Sequence, residues 1–432
     1  MDILMIGCGG VGRTLLELWN LEKIKISKLV VVEPQSIPEW CFKMYPQLQH
    51  IKKALTKTNL KTVLTPLLKH QPFCVDVSVD VDAVKVMELC KAFHCHYINT
   101  SVEGWEEKHP EILKTSKEAL IKRSLYQREL HAEKVIGNTK TTMLTNFGMN
   151  PGGISCLALK GLHDYTLSKG DDKAKQLLKA KEWAKLAHHL NLHEIQVSEL
   201  DTQILNKPRP KDAFWNTWSP TGFQAEALDP IQIGNGSNRK NDKGGVVKGN
   251  MRIYPVRGMD YTCSSVVVGI NDETIPIDGL IIPHAEADTL SWFLTDGDYR
   301  PSVFYVYDCS QVGKESLNYL RNVRHYKPVP LEKCYVVGND DITSGYDSVG
   351  ALLIFPDCVW WCGTILDVKE TRRLGFKHCA PTTIQVSTFM NTAMNWISRH
   401  SKEGFVEPED LDWKYVIDNS KKYLGKIVSK EL

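Results

Sequence analysis

The chain has 432 residues, 53 basic and 51 acidic side chains, and a formal net charge of +2. That balance excludes a general electrostatic attraction to nucleic acid or membrane, while 42% hydrophobic and 24% charged residues suit a soluble globular protein. The length exceeds one ordinary core, so two domains are expected.

Residues 3–6 are a short apolar strand running into Gly7-Cys8-Gly9-Gly10-Val11-Gly12, after which 13–18 read as an amphipathic helix. Gly7, Gly9 and Gly12 stand at G-x-G-x-x-G spacing. The first permits a tight turn, the second lets backbone approach a pyrophosphate, and the third brings helix against strand. The helix start, with Gly10 and Val11, offers free N–H groups and a positive dipole end to phosphates. A second apolar run, 28–32, ends in Glu33. An acid there accepts both ribose hydroxyls and repels a 2′-phosphate, favouring NAD over NADP. A chance glycine cluster is the alternative, but strand, glycines, helix, strand and acid follow in the required order.

Downstream, a loop and a helical stretch precede a candidate strand at 60–64 and a clearer one at 73–77. Residues 81–93 have helical spacing, 96–100 and 142–145 read as strands, and 112–136 as a helical region. Strands alternating with helices imply a parallel sheet, whose ligands gather at the strands' carboxyl ends. Three such ends carry polar pairs: Ser78 with Asp80, Thr100 with Glu103, and Asn146 with Asn150. Each pair alone is a plausible cap or turn; three in register predict an active-site edge.

From residue 147 the texture changes, with Asn150-Pro151-Gly152-Gly153 as punctuation. Residues 171–191 suggest one lysine-rich amphipathic helix, better explained by a solvated face than by a membrane surface. Strands are expected at 195–201, 264–270, 280–282, 303–307 and 351–355. Residues 234–250, with five glycines and four Lys/Arg, read as an exposed loop. Helical spacing returns at 383–398 and 409–424. The fold class is therefore α/β: a Rossmann-type doubly wound parallel sheet over residues 1–146, completed by C-terminal helices within 383–432, plus an α+β substrate and dimerisation domain over 147–382.

The twelve cysteines are scattered without a disulfide framework. With a strand at the very start and no apolar run long enough for a bilayer, they point to a reducing, cytoplasmic setting. Cys90, His94, Cys95 and His96 crowd together, but their spacing matches no zinc pattern. Cys358 and Cys362 fit buried strand packing better than a metal site. The informative stretch is 197–226, where Glu199, Asp201, Trp215, Trp218 and Glu226 fall together. One reading is core aromatics beside solvated acids. The other is a cation pocket, an indole face with carboxylates around an ammonium group.

Several segments carry a resemblance that covers nearly the whole chain. They are Ser78-Val79-Asp80, Thr100-Ser101-Val102-Glu103-Gly104-Trp105, Asn146-Phe147-Gly148-Met149-Asn150-Pro151-Gly152, Ser198-Glu199-Leu200-Asp201-Thr202-Gln203, Asn216-Thr217-Trp218-Ser219, Gly222-Phe223 with Glu226, His284-Ala285-Glu286-Ala287 and Asp347-Ser348-Val349-Gly350. The chain resembles the bacterial-type homospermidine synthases, a branch of the saccharopine-dehydrogenase-like reductases. The resemblance implies a homodimer using putrescine, or spermidine as aminobutyl donor, with hydride lent to NAD and returned within one cycle. It implies Trp218 as the cation–π holder beside Glu199, Asp80, Glu103, Glu226 and Asp347 as pocket acids, His284 as a near-neutral proton shuttle, and Asn150 as an orienting group. Gly7, Gly9, Gly10, Val11, Gly12, Glu33, Ser78, Thr100 and Asn146 would hold the cofactor, and no metal is implied. Leu200 stands where the family has arginine, Ala285 replaces its asparagine, and Ser348-Val349 replaces Glu-Leu. A carboxynorspermidine or saccharopine-type dehydrogenase is the nearest rival, but carboxylate substrates call for arginine or lysine pairs. A non-catalytic NAD sensor would need no acids around a tryptophan.

Overall fold

The computed structural model describes residues 1–105, 116–122, 124–239 and 242–432. In the first of its two seven-stranded sheets all pairings are parallel, and the spatial order is Phe405–Val406, Met143–Leu144, Tyr97–Asn99, Phe73–Asp76, Asp2–Ile6, Lys28–Val32, Leu48–Ile51. The chain order reverses at Asp2–Ile6, which puts a crevice at the glycine turn. Both faces of this sheet are covered. Leu4, Ile6, Val30 and Val32 pack into one core and Ile3, Met5, Leu29 and Val31 into the other, so the strands read as continuous apolar runs.

The second sheet is mixed, in the order Thr262–Val268, Thr274–Ile282, Ser302–Asp308, Glu194–Asp201, Tyr346–Ile354, Val359–Asp367, Lys426–Glu431. Only Ser302–Asp308 and Glu194–Asp201 run parallel to each other; the remaining pairs are antiparallel. A buried helix, Gly153–Lys169, packs on one face, with Gly161 close to Leu353 and Cys362.

The helix Pro381–Arg399 joins the two halves. Toward the first sheet, Thr14 donates to Thr383 at 2.9 Å and Trp19 Nε1 to Asn391 at 3.1 Å, both from the helix Gly10–Leu21. Toward the second, Gln203 donates to Thr382 at 3.0 Å and Gln385 to Asp347 at 3.0 Å. Phe405–Val406 then closes the parallel sheet, whereas Lys426–Glu431 leaves it for the edge of the mixed one.

Some expectations need correction. Residues 60–64 are helical, not a strand: Leu60, Leu64 and Leu68 bury one face of the helix Leu60–Leu68. The strand in that region is Leu48–Ile51, a half-polar edge that carries little pattern. The lysine-rich stretch is two helices, Asp172–Lys179 and Trp183–His189, broken where Lys181 takes a positive φ of 55°. The 112–136 region contains the helices Lys117–Lys122 and Leu125–Ile136; 112–115 and 123 lie outside the described residues, as do 240–241 of the glycine-rich loop. That loop carries a short strand, Val246–Lys248.

Gly7 and Gly9 differ sharply within one turn. Gly7 has φ +85°, and a Cβ there would lie 2.8 Å from the Val77 carbonyl oxygen; a Cβ on Gly9 would meet nothing within 4 Å. Gly7→Ala should therefore lower unfolding free energy by about 1–3 kcal/mol in a urea titration. Gly9→Ala should change it by less than about 0.5 kcal/mol while weakening dinucleotide binding.

Candidate active site

The carboxyl ends of the parallel strands face one side of the mixed sheet across a cavity of about 370 Å³. Gly7, Gly9, Gly10, Val11 and Glu33 line it at one end. Ser78, Asp80, Thr100, Glu103, Asn146 and Asn150 line it along the strand ends, and Glu199, Trp218, Glu226 and His284 line it from the second sheet's side. The three polar strand-end pairs thus share one wall. Gly12 does not reach the cavity: a Cβ there would sit 3.0 Å from Gly7 O and 3.2 Å from Met5 Sδ, so it serves helix-to-strand packing. Asp347 is also displaced from its expected place in the lining. It is 1% exposed and accepts from Gln385 in a layer behind the cavity.

At the glycine end, Glu33 Oε2 accepts from Cys8 N and Oε1 from Gln35 N, both at 2.8 Å, so the acid braces the turn it follows. Each carboxylate oxygen retains a further lone pair. No side chain among the described residues caps the first turn of Gly10–Leu21, and Gly9 opens onto free space. A turn with uncapped N–H groups and a strand-end acid fits a dinucleotide. Leu331, Cys334, Tyr335 and Val336 line the opposite wall, and Gln35 Nε2 donates to Leu331 O at 3.1 Å.

At the other end, alternation along Glu194–Asp201 puts Val197, Glu199 and Asp201 on one face. Tyr305 and Tyr307 stand beside Val197 and Glu199 in register, and Asp347 stands opposite Asp201. Glu199 is 2% exposed, and its Oε2 accepts from Tyr305 Oη at 2.7 Å and Asn150 Nδ2 at 2.8 Å. Burial pushes Glu199 up to about 7, the two hydrogen bonds restrain the rise, and the neighbouring Asp201 adds to it. Burial likewise raises Asp201 to about 6, against donors from Thr217 and Gln203. Burial, then the charges of Glu199 and Asp201, lift Asp347 well above the usual carboxylate range. These acids titrate as a group.

Trp218 lies beside this face. Its Nε1 donates to Tyr307 Oη at 3.1 Å, and its ring centroid lies 5.4 Å from that of Phe223. Ser219 caps the helix Pro220–Leu228 by accepting from Gly222 N, and that helix carries Glu226 to the cavity. Glu226 Oε2 is 3.4 Å from His284 Nε2, and Glu286 Oε1 is 3.2 Å from His284 Nδ1. Burial works against a charged imidazole, yet Glu286 and Glu226 outweigh it and raise His284 to about 10. Two acids flanking one buried imidazole favour its charged form over the near-neutral titration expected of a shuttle.

Sequence reasoning missed several members of the site. Arg128 lines the cavity 3.6 Å from Glu103 and 3.4 Å from Asp229. Nothing in its helical stretch marked it. Tyr305 and Tyr307 were detectable as alternate positions of an expected strand, and Glu286 as the acid two residues after His284. Among the described residues no group of three or more His, Cys, Asp or Glu side chains is placed to hold a metal ion. Of the cluster near 90–96, Cys90 lies in the helix Ala83–Phe93, His94 is its C-cap, and Cys95 and His96 lie between it and the strand Tyr97–Asn99.

A parallel nucleotide-binding sheet facing an acid-lined cavity defines a two-domain enzyme of the saccharopine-dehydrogenase-like class, and residues 3–143 match the family model described as saccharopine dehydrogenase NADP binding domain. The chain belongs to the homospermidine synthase family. It is 30% identical to the homospermidine synthase of Mesorhizobium japonicum, over 98% of this chain and 89% of that one. It is 29% identical to that of Blastochloris viridis, over 99% and 90%. The crystal structure of the Legionella pneumophila homospermidine synthase in complex with NAD superposes with a TM-score of 0.84 at 25% identity, covering 100% of this chain and 91% of that one. Saccharopine dehydrogenase from Saccharomyces cerevisiae shares the fold at 9% identity and a TM-score of 0.53, over 100% and 99%.

The raised acids carry a stability signature. A carboxyl whose pKa is higher folded than unfolded stabilises the fold below its unfolded value, and loses that contribution as pH rises through the folded value. For Glu199 the window runs from about 4.5 to about 7. Glu199→Gln should therefore raise Tm by several degrees at pH 8 and leave it nearly unchanged at pH 4.5, as read by thermal melts at the two pH values.

Proposed function

We propose that this chain makes homospermidine from two molecules of putrescine, or from spermidine and putrescine, with NAD as a recycled hydride carrier. The observation that carries the reading is the single cavity holding both the glycine turn and the Glu199, Trp218 and Glu226 group. When bound, NAD supplies a hydride acceptor that becomes a hydride donor later in the same cycle. Gly7, Gly9, Gly10, Val11 and Glu33 would hold its adenosine and pyrophosphate part, with Gly12 supporting the turn, and Ser78, Thr100 and Asn146 its nicotinamide part.

The chain's own residues do the rest. Putrescine is a dication near neutral pH, so the reacting nitrogen must shed a proton while the far ammonium is held. Glu199, poised at about 7, takes that proton. The Trp218 face holds the cationic end, an interaction worth about 2 kcal/mol or more when water is excluded. Asn150, already donating to Glu199, orients the nitrogen. Loss of hydride from the amine-bearing carbon leaves an iminium. The second putrescine attacks it, ammonia leaves, and the secondary imine regains the hydride: two putrescines give homospermidine and ammonia. Asp80, Glu103 and Glu226 set the cationic preference, Asp347 acts from behind through the shared titration, and the charged His284 holds Glu226 in place.

The functional division is residues 1–146 for the cofactor and 147–382 for substrate and dimerisation, with 383–432 spanning both. A homodimer through the second domain belongs to the same proposal. Twelve free thiols support a cytoplasmic setting. No helix among the described residues is long and apolar enough to cross a membrane.

Incubation with putrescine and NAD should yield homospermidine and ammonia without lasting NADH; steady NADH release would point to a dehydrogenase instead. Trp218→Phe should retain part of the activity, whereas Trp218→Ala should lose about tenfold or more. Equal activity of the two variants would remove the indole from the account.

A further inference from the structure

A row of buried polar groups crosses beneath the strand ends of the parallel sheet. Asn146 N donates to Asn99 Oδ1 at 2.8 Å, Asn99 Nδ2 to Tyr97 Oη at 3.1 Å, and Tyr97 Oη to Asp76 Oδ2 at 2.9 Å. From the other side Ser78 Oγ donates to Asp76 Oδ1 at 2.6 Å. The row therefore joins two cavity-lining residues, Ser78 and Asn146, and its donors all run toward Asp76. Asn146 is fully buried, with φ at +56°, and its side-chain Nδ2 donates to Glu129 Oε2 at 2.9 Å. Glu129 is 4% exposed, sits on the helix Leu125–Ile136 and does not line the cavity.

The orientation of the Asn146 amide follows from this partner. In the contact present, the Asn146 NH2 donates and the Glu129 carboxylate oxygen accepts, and an ionised carboxylate can do nothing else. With the backbone N–H used by Asn99 and the side-chain NH2 engaged by Glu129, the side-chain acceptor left on Asn146 is Oδ1. That atom is buried and has no hydrogen-bond partner among the described residues. A buried acceptor left unsatisfied costs free energy, so this one is built for a donor arriving in the cavity. Met143–Leu144, which leads into Asn146, lies on the side of the switch point away from Glu33, where the nicotinamide half of a dinucleotide falls. The nicotinamide carboxamide has an oxygen that accepts and an NH2 that donates, and only the NH2 matches Oδ1.

We propose that Glu129 is a positioning residue: by holding the Asn146 amide in one orientation, it makes Oδ1 the acceptor for the carboxamide NH2 of the nicotinamide. This rests on the dinucleotide-binding reading of the cavity and names a residue outside its lining. The 3-acetylpyridine analogue of NAD replaces that NH2 by a methyl group and so isolates the contact.

Binding of NAD and of this analogue to the purified full-length chain, titrated by intrinsic fluorescence without substrate, gives the test. Wild type should bind NAD about tenfold more tightly than the analogue, the discrimination expected for one buried hydrogen bond. Glu129→Leu, which frees the amide to rotate, should shrink that ratio to about twofold, and Glu129→Gln, which keeps an acceptor oxygen, should preserve most of it. An unchanged ratio in Glu129→Leu overturns the proposal. So does a wild type that binds both nucleotides equally, a result that needs no variant to fold. Product analysis with putrescine tests the synthase reading separately: no homospermidine alongside an intact nucleotide ratio would defeat that reading and leave Glu129 in its role.

Discussion

A carboxylate taken out of water at a domain junction is the constraint on which the rest of the site depends. Glu199 is nearly inaccessible, and an ionised group so placed is costly unless donors converge on it. Tyr305 supplies one donor from the adjacent strand, and Asn150 supplies the other from the segment leaving the parallel sheet. The same two hydrogen bonds therefore tie the halves of the molecule together and fix the carboxylate relative to the glycine turn. Burial first, and then Asp201 on the same sheet face, keep its proton affinity high. A base near neutrality follows from this packing, and so does a stability penalty at alkaline pH.

The cavity separates its charges by function. At the nucleotide end, Glu33 is engaged with backbone N–H groups. At the substrate end, Glu226 and Glu286 are matched by His284, and Glu103 and Asp229 by Arg128. Glu199 forms no salt bridge among the described residues; it accepts from a phenol and an amide. An arriving ammonium therefore meets a favourable charge where the Trp218 face also attracts it, and the paired acids set the surrounding potential without competing equally for it. His284 belongs to this balance through the two acids beside it, which favour its charged form and raise its titration above the near-neutral range expected of a shuttle.

Much of this was legible in the sequence wherever a local pattern had one physical solution. The glycine turn with Glu33 fixes a Rossmann start, and acids at alternate positions of 197–201 mark a strand face that is polar where a core is expected. The polar strand ends carrying Ser78, Thr100 and Asn146 followed from parallel topology. Other features carried no such signal. Gly153–Lys169 is buried on most sides, so its apolar residues show no helical stripe. Leu60–Leu68 reads as a strand over its first five residues, and only Leu68 reveals the helical repeat. Lys426–Glu431 alternates weakly because it is an edge. Arg128 and Glu129 owe their positions to tertiary packing of a helix over the sheet ends, which no spacing within the helix encodes.

Hydride leaving one diamine and returning to the joined product inside a single cavity is the central claim, and isotope tracing tests it most directly. Putrescine carrying deuterium on its amine-bearing carbons, incubated with the enzyme and NAD in ordinary water, should give homospermidine in which the carbon reduced in the last step has regained a deuterium. Homospermidine whose reduced carbon carries solvent-derived hydrogen, or deuterium released into free NADH, would contradict the account.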